Sequence, residues 1–318
     1  MSEQKQLEVV SLFSGAGGLD LGFKKAGFKI VWANDFDKDA VATYKKNIGN
    51  ECICGDISLI DSKDIPACDV IIGGFPCQGF SMANKNRNVL DERNQLYLQY
   101  IRILKDKQPK YFVAENVKGI LSLGQGMVIK AIINDFSEAG YNVSYKMLNA
   151  ADYGVPQTRQ RVIIVGVRKD LNTDFEFPKP TNSKKGDNGL PKWITVSEAL
   201  KGIPDPDGPD ADTVPNNEYS EYKVNPRNYT GHRSTDPDKP SPTILARGNG
   251  GGGVCAIPHP NGNRRMTVRE SAIIQTFPLQ FEFVGRRGST YRQVGNAVPV
   301  KLASKIAESI LTSFLQIK

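Results

Sequence analysis

The chain has 318 residues, with 41 Lys and Arg against 34 Asp and Glu, a formal net charge of +7. At 39% hydrophobic and 24% charged it carries enough apolar material for a core, which excludes global disorder. Its longest apolar runs, such as Val162–Val167, fall far short of the ~20 residues that cross a bilayer. Five cysteines with no C-x-x-C pair, and only two histidines (His232 and His259), argue against a disulfide framework or a structural zinc site, so no metal is expected. The start, Met1 to Gln6, is polar with no apolar stretch behind it, which predicts a cytoplasmic protein with reduced thiols. The modest positive charge permits a polyanionic partner without requiring one.

In chain order, Leu7–Phe13 reads as a compact strand running into Ser14-Gly15-Ala16-Gly17-Gly18 and a helical stretch to Lys25. Strands follow at Lys29–Ala33 and Asp69–Ile72, the latter ending in Gly73-Gly74. A helix over Gln95–Lys105 precedes a short strand, Tyr111–Ala114, that stops at Glu115-Asn116. A helix at Met127–Glu138, a strand at Val143–Leu148 and a strand at Arg161–Val167 complete the set. Strands separated by helical runs predict a parallel, doubly wound α/β sheet. The texture then changes: thirteen of the 19 prolines lie between Pro178 and Pro260, so the alternation cannot continue there. Gly202–Tyr222 carries six acidic residues and no Lys or Arg, and Gly250–Gly253 is a glycine run. Helical periodicity returns from Met266, and Lys301–Leu315 has an apolar face suited to the sheet. The expected organisation is a first domain at 1–176 completed by 289–318, with a small irregular unit and hinge at 177–288.

Four places carry chemistry. The turn after the first strand presents glycines and a helix start, where backbone N–H groups can meet a ligand; it is equally readable as a plain tight turn. A dinucleotide fingerprint would need a glycine where the chain has Asp20, which disfavours a nicotinamide oxidoreductase. Asp35, closing the second strand, stands where an adenosine ribose is gripped, and Asp56 where an adenine edge would lie; a nucleoside without a pyrophosphate fits best. The loop Gly73-Gly74-Phe75-Pro76-Cys77-Gln78-Gly79-Phe80-Ser81 sets a thiol at the carboxyl edge of the sheet rather than in an apolar run; with positive neighbours it can be a nucleophile, and taken alone it also reads as an inert structural cysteine. Glu115 ends a strand, where a dry pocket can make a carboxyl a proton donor, although an exposed strand-end glutamate is an equal reading. Arg159 and Arg161, two apart at a strand entrance, point the same way and can hold a thiolate or a phosphate, or form a solvated edge.

Taken in order, Phe13-Ser14-Gly15-Ala16-Gly17-Gly18, Pro76-Cys77-Gln78, Glu115-Asn116-Val117, Gln157-x-Arg159-x-Arg161, Arg265-x-Thr267-x-Arg269-Glu270 and Gly295-Asn296-Ala297-Val298-Pro299 resemble the motif series of the C5-cytosine DNA methyltransferases, the modification enzymes of bacterial restriction-modification systems. The resemblance implies a Rossmann-like S-adenosyl-L-methionine-dependent methyltransferase domain plus a small irregular target-recognition domain at the stretch between the Arg159 and Thr267 motifs. It implies Cys77 as nucleophile, Glu115 as partner of the cytosine N3 edge, Arg161 at O2, and Arg159 at the thiolate or a phosphate. It assigns Phe13, Gly15, Ala16, Gly18, Asp35, Phe36, Asp56, Ile57, Pro76, Leu96 and Asn296 to the cofactor. Phe36 stands where some relatives have tryptophan. Gln78, Ser81, Arg87, Arg227, Arg233, Thr243 and Arg247 are the candidates for contact with DNA. Double-stranded DNA, a cognate restriction endonuclease, a monomeric state and a place at the nucleoid are the implied partners and setting. The tRNA-modifying branch of the superfamily carries a Cys-Phe-Thr tripeptide that does not occur here.

Overall fold

The computed structural model describes residues 6–76, 92–219, 235–246, 257–262 and 264–317, with side chains from 96 onward in the second of these stretches. Seven strands form one sheet: β1 (Glu8–Leu12), β2 (Lys29–Asp35), β3 (Cys52–Cys54), β4 (Val70–Gly73), β5 (Tyr111–Val117), β6 (Tyr141–Asn149) and β7 (Gln160–Arg168), in the order β3-β2-β1-β4-β5-β7-β6. The inner strands are near-continuous runs of β-branched residues, as expected where both faces are covered. The helices are α1 (Gly18–Lys25), α2 (Lys38–Asn47), α3 (Glu92–Lys107), α4 (Met127–Glu138), α5 (Val196–Leu200), α6 (Val268–Ile274), α7 (Arg287–Asn296) and α8 (Val300–Phe314). None of those described is long and apolar enough to cross a membrane.

Two apolar layers follow from strand alternation. On one face Val9, Ile72, Val113 and Val165 meet α1, α2, α6, α7 and α8 through Phe23, Tyr44, Ala272, Val294 and Ile306. On the other, Val10, Ile71, Phe112 and Ile164 meet α3 and α4 through Tyr100, Leu104, Ile132 and Phe136. Val196, Ile244, Ile257 and Met266, from the irregular stretch, are buried in the first layer with the sheet. The closing helix seats on α1, as its apolar stripe predicts.

The sheet departs from the parallel expectation at one strand. β7 runs antiparallel to both β5 and β6. The link from β6 bears on this: residues 150–159, whose one regular element is the 3₁₀ turn Ala150–Tyr153, hold no crossover helix, whereas a parallel return needs about a dozen residues or more, usually including one. β5 also runs further than expected, to Val117, so Glu115 and Asn116 lie within the strand and face opposite layers. The chain leaves β1 toward β2 and β3 and returns at β4, so the carboxyl ends of β1 and β4 flank the switch point at which such sheets bind ligands.

Candidate active site

Two loops leave the switch point. The first follows β1. Phe13 holds a φ of 55° and Gly15 and Gly17 hold 54° and 84°, so the backbone turns left-handed three times within five residues. An aromatic residue pays strain there, and strain of this kind gathers at ligand sites. Asp35 fixes the turn from the next strand. Its Oδ2 accepts from the Gly15 N–H at 2.8 Å and its Oδ1 from the Asp37 N–H at 2.9 Å. Burial raises Asp35 above the usual carboxylate range, and these donors oppose the rise. Each oxygen keeps a second lone pair for a hydroxyl.

Among the described residues nothing lies within 4 Å of the position a Cβ would take on Gly15, and Phe36 beside Asp35 is 73% exposed to them. Asn34 donates through Nδ2 to the Ile53 and Gly55 carbonyls and so positions the exposed Asp56 and buried Ile57 beyond β3. Phe13 and Leu96 pack at the rim of the second apolar layer, Ala16 and Gly18 are buried in the turn, and Pro76 and Asn296 are exposed. These groups fit an adenosine with a zwitterionic tail: acceptors for a ribose, an aromatic plane for a base, a helix start for a carboxylate.

Beneath this turn lies a group whose role the sequence did not reveal. Asp20 is fully buried in α1, accepts from the Tyr44 hydroxyl at 3.0 Å, and is pushed by burial up to about 7, against the Ser11 and Tyr44 hydroxyls. Below pH 3.8 it is protonated in folded and unfolded chains alike; between there and about 7 only the unfolded chain releases the proton. Native stability therefore falls as pH rises through this window and levels above it. Asp20→Asn, neutral at every pH, is expected to flatten that slope and to gain on the order of 2 kcal/mol or more over the native chain on going from pH 5 to pH 8. Chemical denaturation at several pH values checks it; parallel slopes for the two proteins would contradict it.

The second loop follows β4. Asn116 reaches across the strand tip, its Nδ2 donating to the Phe75 carbonyl at 3.0 Å, and so anchors the loop two residues before Cys77. Glu115 faces the other way. A Cβ on Gly74 would lie 3.0 Å from Glu115 Oε2, so the loop backbone presses against the carboxylate and a side chain cannot be added without moving it. Gly74→Ala is accordingly expected to slow the chemical step by about 10–100-fold while leaving affinity at the turn after β1 near native, measured by single-turnover kinetics and calorimetry. Cys77, Gln78, Ser81, Arg87, Arg227, Arg233 and Arg247 lie outside the described residues.

β7 brings the arginines. Glu115 pairs with Ile163 across the ladder, which puts Arg161 on its diagonal on the same face. Arg161 Nε stands 2.6 Å from Glu115 Oε1, with the two side chains 10% and 12% exposed. The contact is an ion pair whose N–H is not aligned on the oxygen, since neither atom meets hydrogen-bond geometry. Arg159 is placed differently from the exposed edge one reading allowed: it is wholly buried, with Nη1 donating to the Ile244 carbonyl at 2.8 Å and Nη2 to the Gly295 carbonyl at 2.9 Å. Its Nε has no partner among the described residues. Burial, with the Arg161 charge beside it, holds Arg159 well below the usual arginine range, and Glu115 opposes. Thr243 donates its hydroxyl inward to the Thr158 carbonyl at 2.8 Å. The site thus gathers Glu115, Arg161 and Arg159 at the tips of β5 and β7, next to the loop from β4.

The sequence profile described as C-5 cytosine-specific DNA methylase matches residues 7–312. The chain is 41% identical over 338 residues to the type II methyltransferase M.NgoFVII of Neisseria gonorrhoeae, covering 98% of this chain and 88% of that one. It is 44% identical over 329 residues to the type II methyltransferase M.FnuDI of Fusobacterium nucleatum, covering 96% and 94%. Its fold matches the crystal structure of the S. pombe Dnmt2 methyltransferase with a TM-score of 0.72, at 22% identity over 98% of this chain and 100% of that one. With the motifs in order on this sheet and the family's profile spanning nearly all of it, the chain belongs to the C-5 cytosine-specific DNA methylases and is a DNA (cytosine-5-)-methyltransferase.

Proposed function

We propose that the protein moves a methyl group from S-adenosyl-L-methionine to carbon 5 of a cytosine flipped out of duplex DNA, through a transient bond between Cys77 and C6. The observation that carries this reading is the Glu115–Arg161 pair, with the Gly74 backbone packed on the Glu115 carboxylate. It supports a site where a thiol on that loop, a carboxyl and a guanidinium converge on one flat ring.

Cytosine C5 is a weak nucleophile. The Cys77 thiolate adds to C6, and Glu115, which takes up a proton from solvent as the ring enters beside it, passes that proton to N3, so the electron pair displaced from the C5–C6 bond makes C5 enamine-like. Arg161 holds O2 and fixes the carboxylate facing N3. The bound cofactor supplies a sulfonium methyl to C5. A base then removes the C5 proton, the C5–C6 double bond re-forms, Cys77 leaves and N3 returns its proton to Glu115. The cytosine must leave the stack for any of this, at a cost of a few kcal/mol. Asp35 and Phe36 take the ribose and adenine, and Phe13, Gly15, Ala16, Gly18, Asp56, Ile57, Pro76, Leu96 and Asn296 complete the cofactor pocket.

Residues 177–288 serve as recognition unit and hinge, with Arg227, Arg233 and Arg247 reading bases or phosphates and Gln78, Ser81 and Arg87 closing on the extruded nucleotide. Thr243, tied to Thr158, shapes the backbone of this unit. Like the type II methyltransferases it resembles, the enzyme would modify DNA; in this reading it acts as a monomer in the cytoplasm, on nucleoid DNA, and protects it from a cognate endonuclease. Incubation of duplex DNA with the protein and methyl-labelled cofactor, followed by base-resolution sequencing, tests the reading. Label at C5 of cytosine within one short sequence is expected; label at another atom or on RNA alone would overturn it.

A further inference from the structure

Gln275, which no motif drew attention to, closes α6 and is fully buried. Its Nε2 donates to the Val294 carbonyl at 2.8 Å and the Ala297 carbonyl at 3.2 Å. Its Oε1 accepts from Gln157 Nε2 at 2.9 Å, and Gln157 Oε1 in turn accepts from the Ile244 N–H at 3.0 Å. Arg159 closes the circuit, with one nitrogen on the Ile244 carbonyl and one on the Gly295 carbonyl. Both main-chain polar groups of Ile244 are therefore tied to the 294–297 turn, the carbonyl directly through Arg159 and the N–H through Gln157 and then Gln275. A Cβ on Gly295 would meet Leu245 C at 2.5 Å and Ala246 N at 2.4 Å, so the two backbones touch without slack.

We propose that Gln275 is a positioning residue that couples the two ligands: seating the cofactor against Asn296 sets the 294–297 turn, and through Gln275 and Gln157 the turn sets residues 244–246, which lead directly into Arg247. The inference rests on the assignment of Asn296 to the cofactor and of Arg247 to DNA. A buried amide with every polar atom engaged has one low-energy arrangement. Movement of the turn without the segment would strand donors and acceptors away from water. Each ligand then favours the same arrangement of the circuit, and the coupling is reciprocal.

The test measures S-adenosyl-L-homocysteine binding to the full chain by calorimetry, alone and saturated with the duplex that sequencing identifies as the methylated site. In the native protein the duplex is expected to tighten this binding by about tenfold, and the homocysteine compound to tighten the duplex by the same factor. Gln275→Met keeps the volume and loses the donor and acceptor; its coupling factor is expected to fall below about twofold, with each separate affinity within about threefold of native. Gln157→Met is expected to do the same, and the double variant to lose nothing more. Should Gln275→Met fail to give a native melt, Gln157→Met decides. Full coupling in a folded variant, or none in a native enzyme that still methylates, overturns the proposal. A native enzyme that binds no S-adenosyl-L-homocysteine and methylates no DNA overturns instead the functional reading beneath it.

Discussion

Cys77→Ser is expected to lose methyl transfer by on the order of 10⁴-fold or more in kcat, with S-adenosyl-L-homocysteine affinity within about twofold of native. A hydroxyl changes one atom, yet it ionises far less readily than a thiol and adds weakly to C6. The turn from Phe13 to Gly18, proposed to seat the cofactor, is locked by Asp35 through the Gly15 N–H. Single-turnover transfer and calorimetry on the same preparation separate the two effects. Equal losses in both would identify Cys77 as a pocket residue and remove it from the chemistry.

Glu115→Gln is expected to lower the single-turnover rate by about 10²–10⁴-fold, because the amide retains shape and hydrogen-bonding atoms but has no proton to give N3. A second consequence follows from the ion pair. Arg161 stands 2.6 Å from the Glu115 carboxylate, and the wholly buried Arg159 draws on the same charge. Removing the negative partner leaves two guanidinium groups facing each other in a nearly dry site, and stability is expected to fall by on the order of 3 kcal/mol. The melting temperature and the rate are therefore expected to fall together, with cofactor affinity retained. A variant that methylates at the native rate would show that N3 is protonated by another group.

The elements that were legible in the sequence are those with local signals. β-branched runs such as Val70–Ile72 and Val162–Val167 announced strands, and the stripe of Leu302, Ile306 and Ile310 announced the helix that seats on α1. Glu115 and Arg161 were visible as residue types at strand ends, and they meet. What was not legible depends on partners distant in the chain. The direction of β7 is set by the short link from β6 and by its choice of β5 as neighbour, which periodicity does not encode. For Arg159 the sequence offers a thiolate, a phosphate or a solvated edge, and does not show that its two Nη groups are taken by carbonyls 85 and 136 residues away. Asn116 was adjacent to a residue singled out, and its place in the Glu115-Asn116-Val117 run was the available signal; its contact with Phe75 was not. Asp20 counted only as a missing glycine, because burial against Tyr44 arises from the packing of α2.

The central claim is a covalent bond between one sulfur atom and the cytosine ring, and a mechanism-based trap tests it most directly. In a duplex carrying 5-fluorocytosine at the methylated position, addition and methyl transfer proceed, but fluorine cannot depart as a cation and elimination stops. Intact-mass spectrometry with S-adenosyl-L-methionine present is expected to show the protein joined to the DNA strand with one added methyl group, the peptide containing Cys77 bearing the link, and no adduct for Cys77→Ser. A native enzyme that methylates the ordinary duplex yet leaves the fluorinated one unlinked would contradict attack at C6.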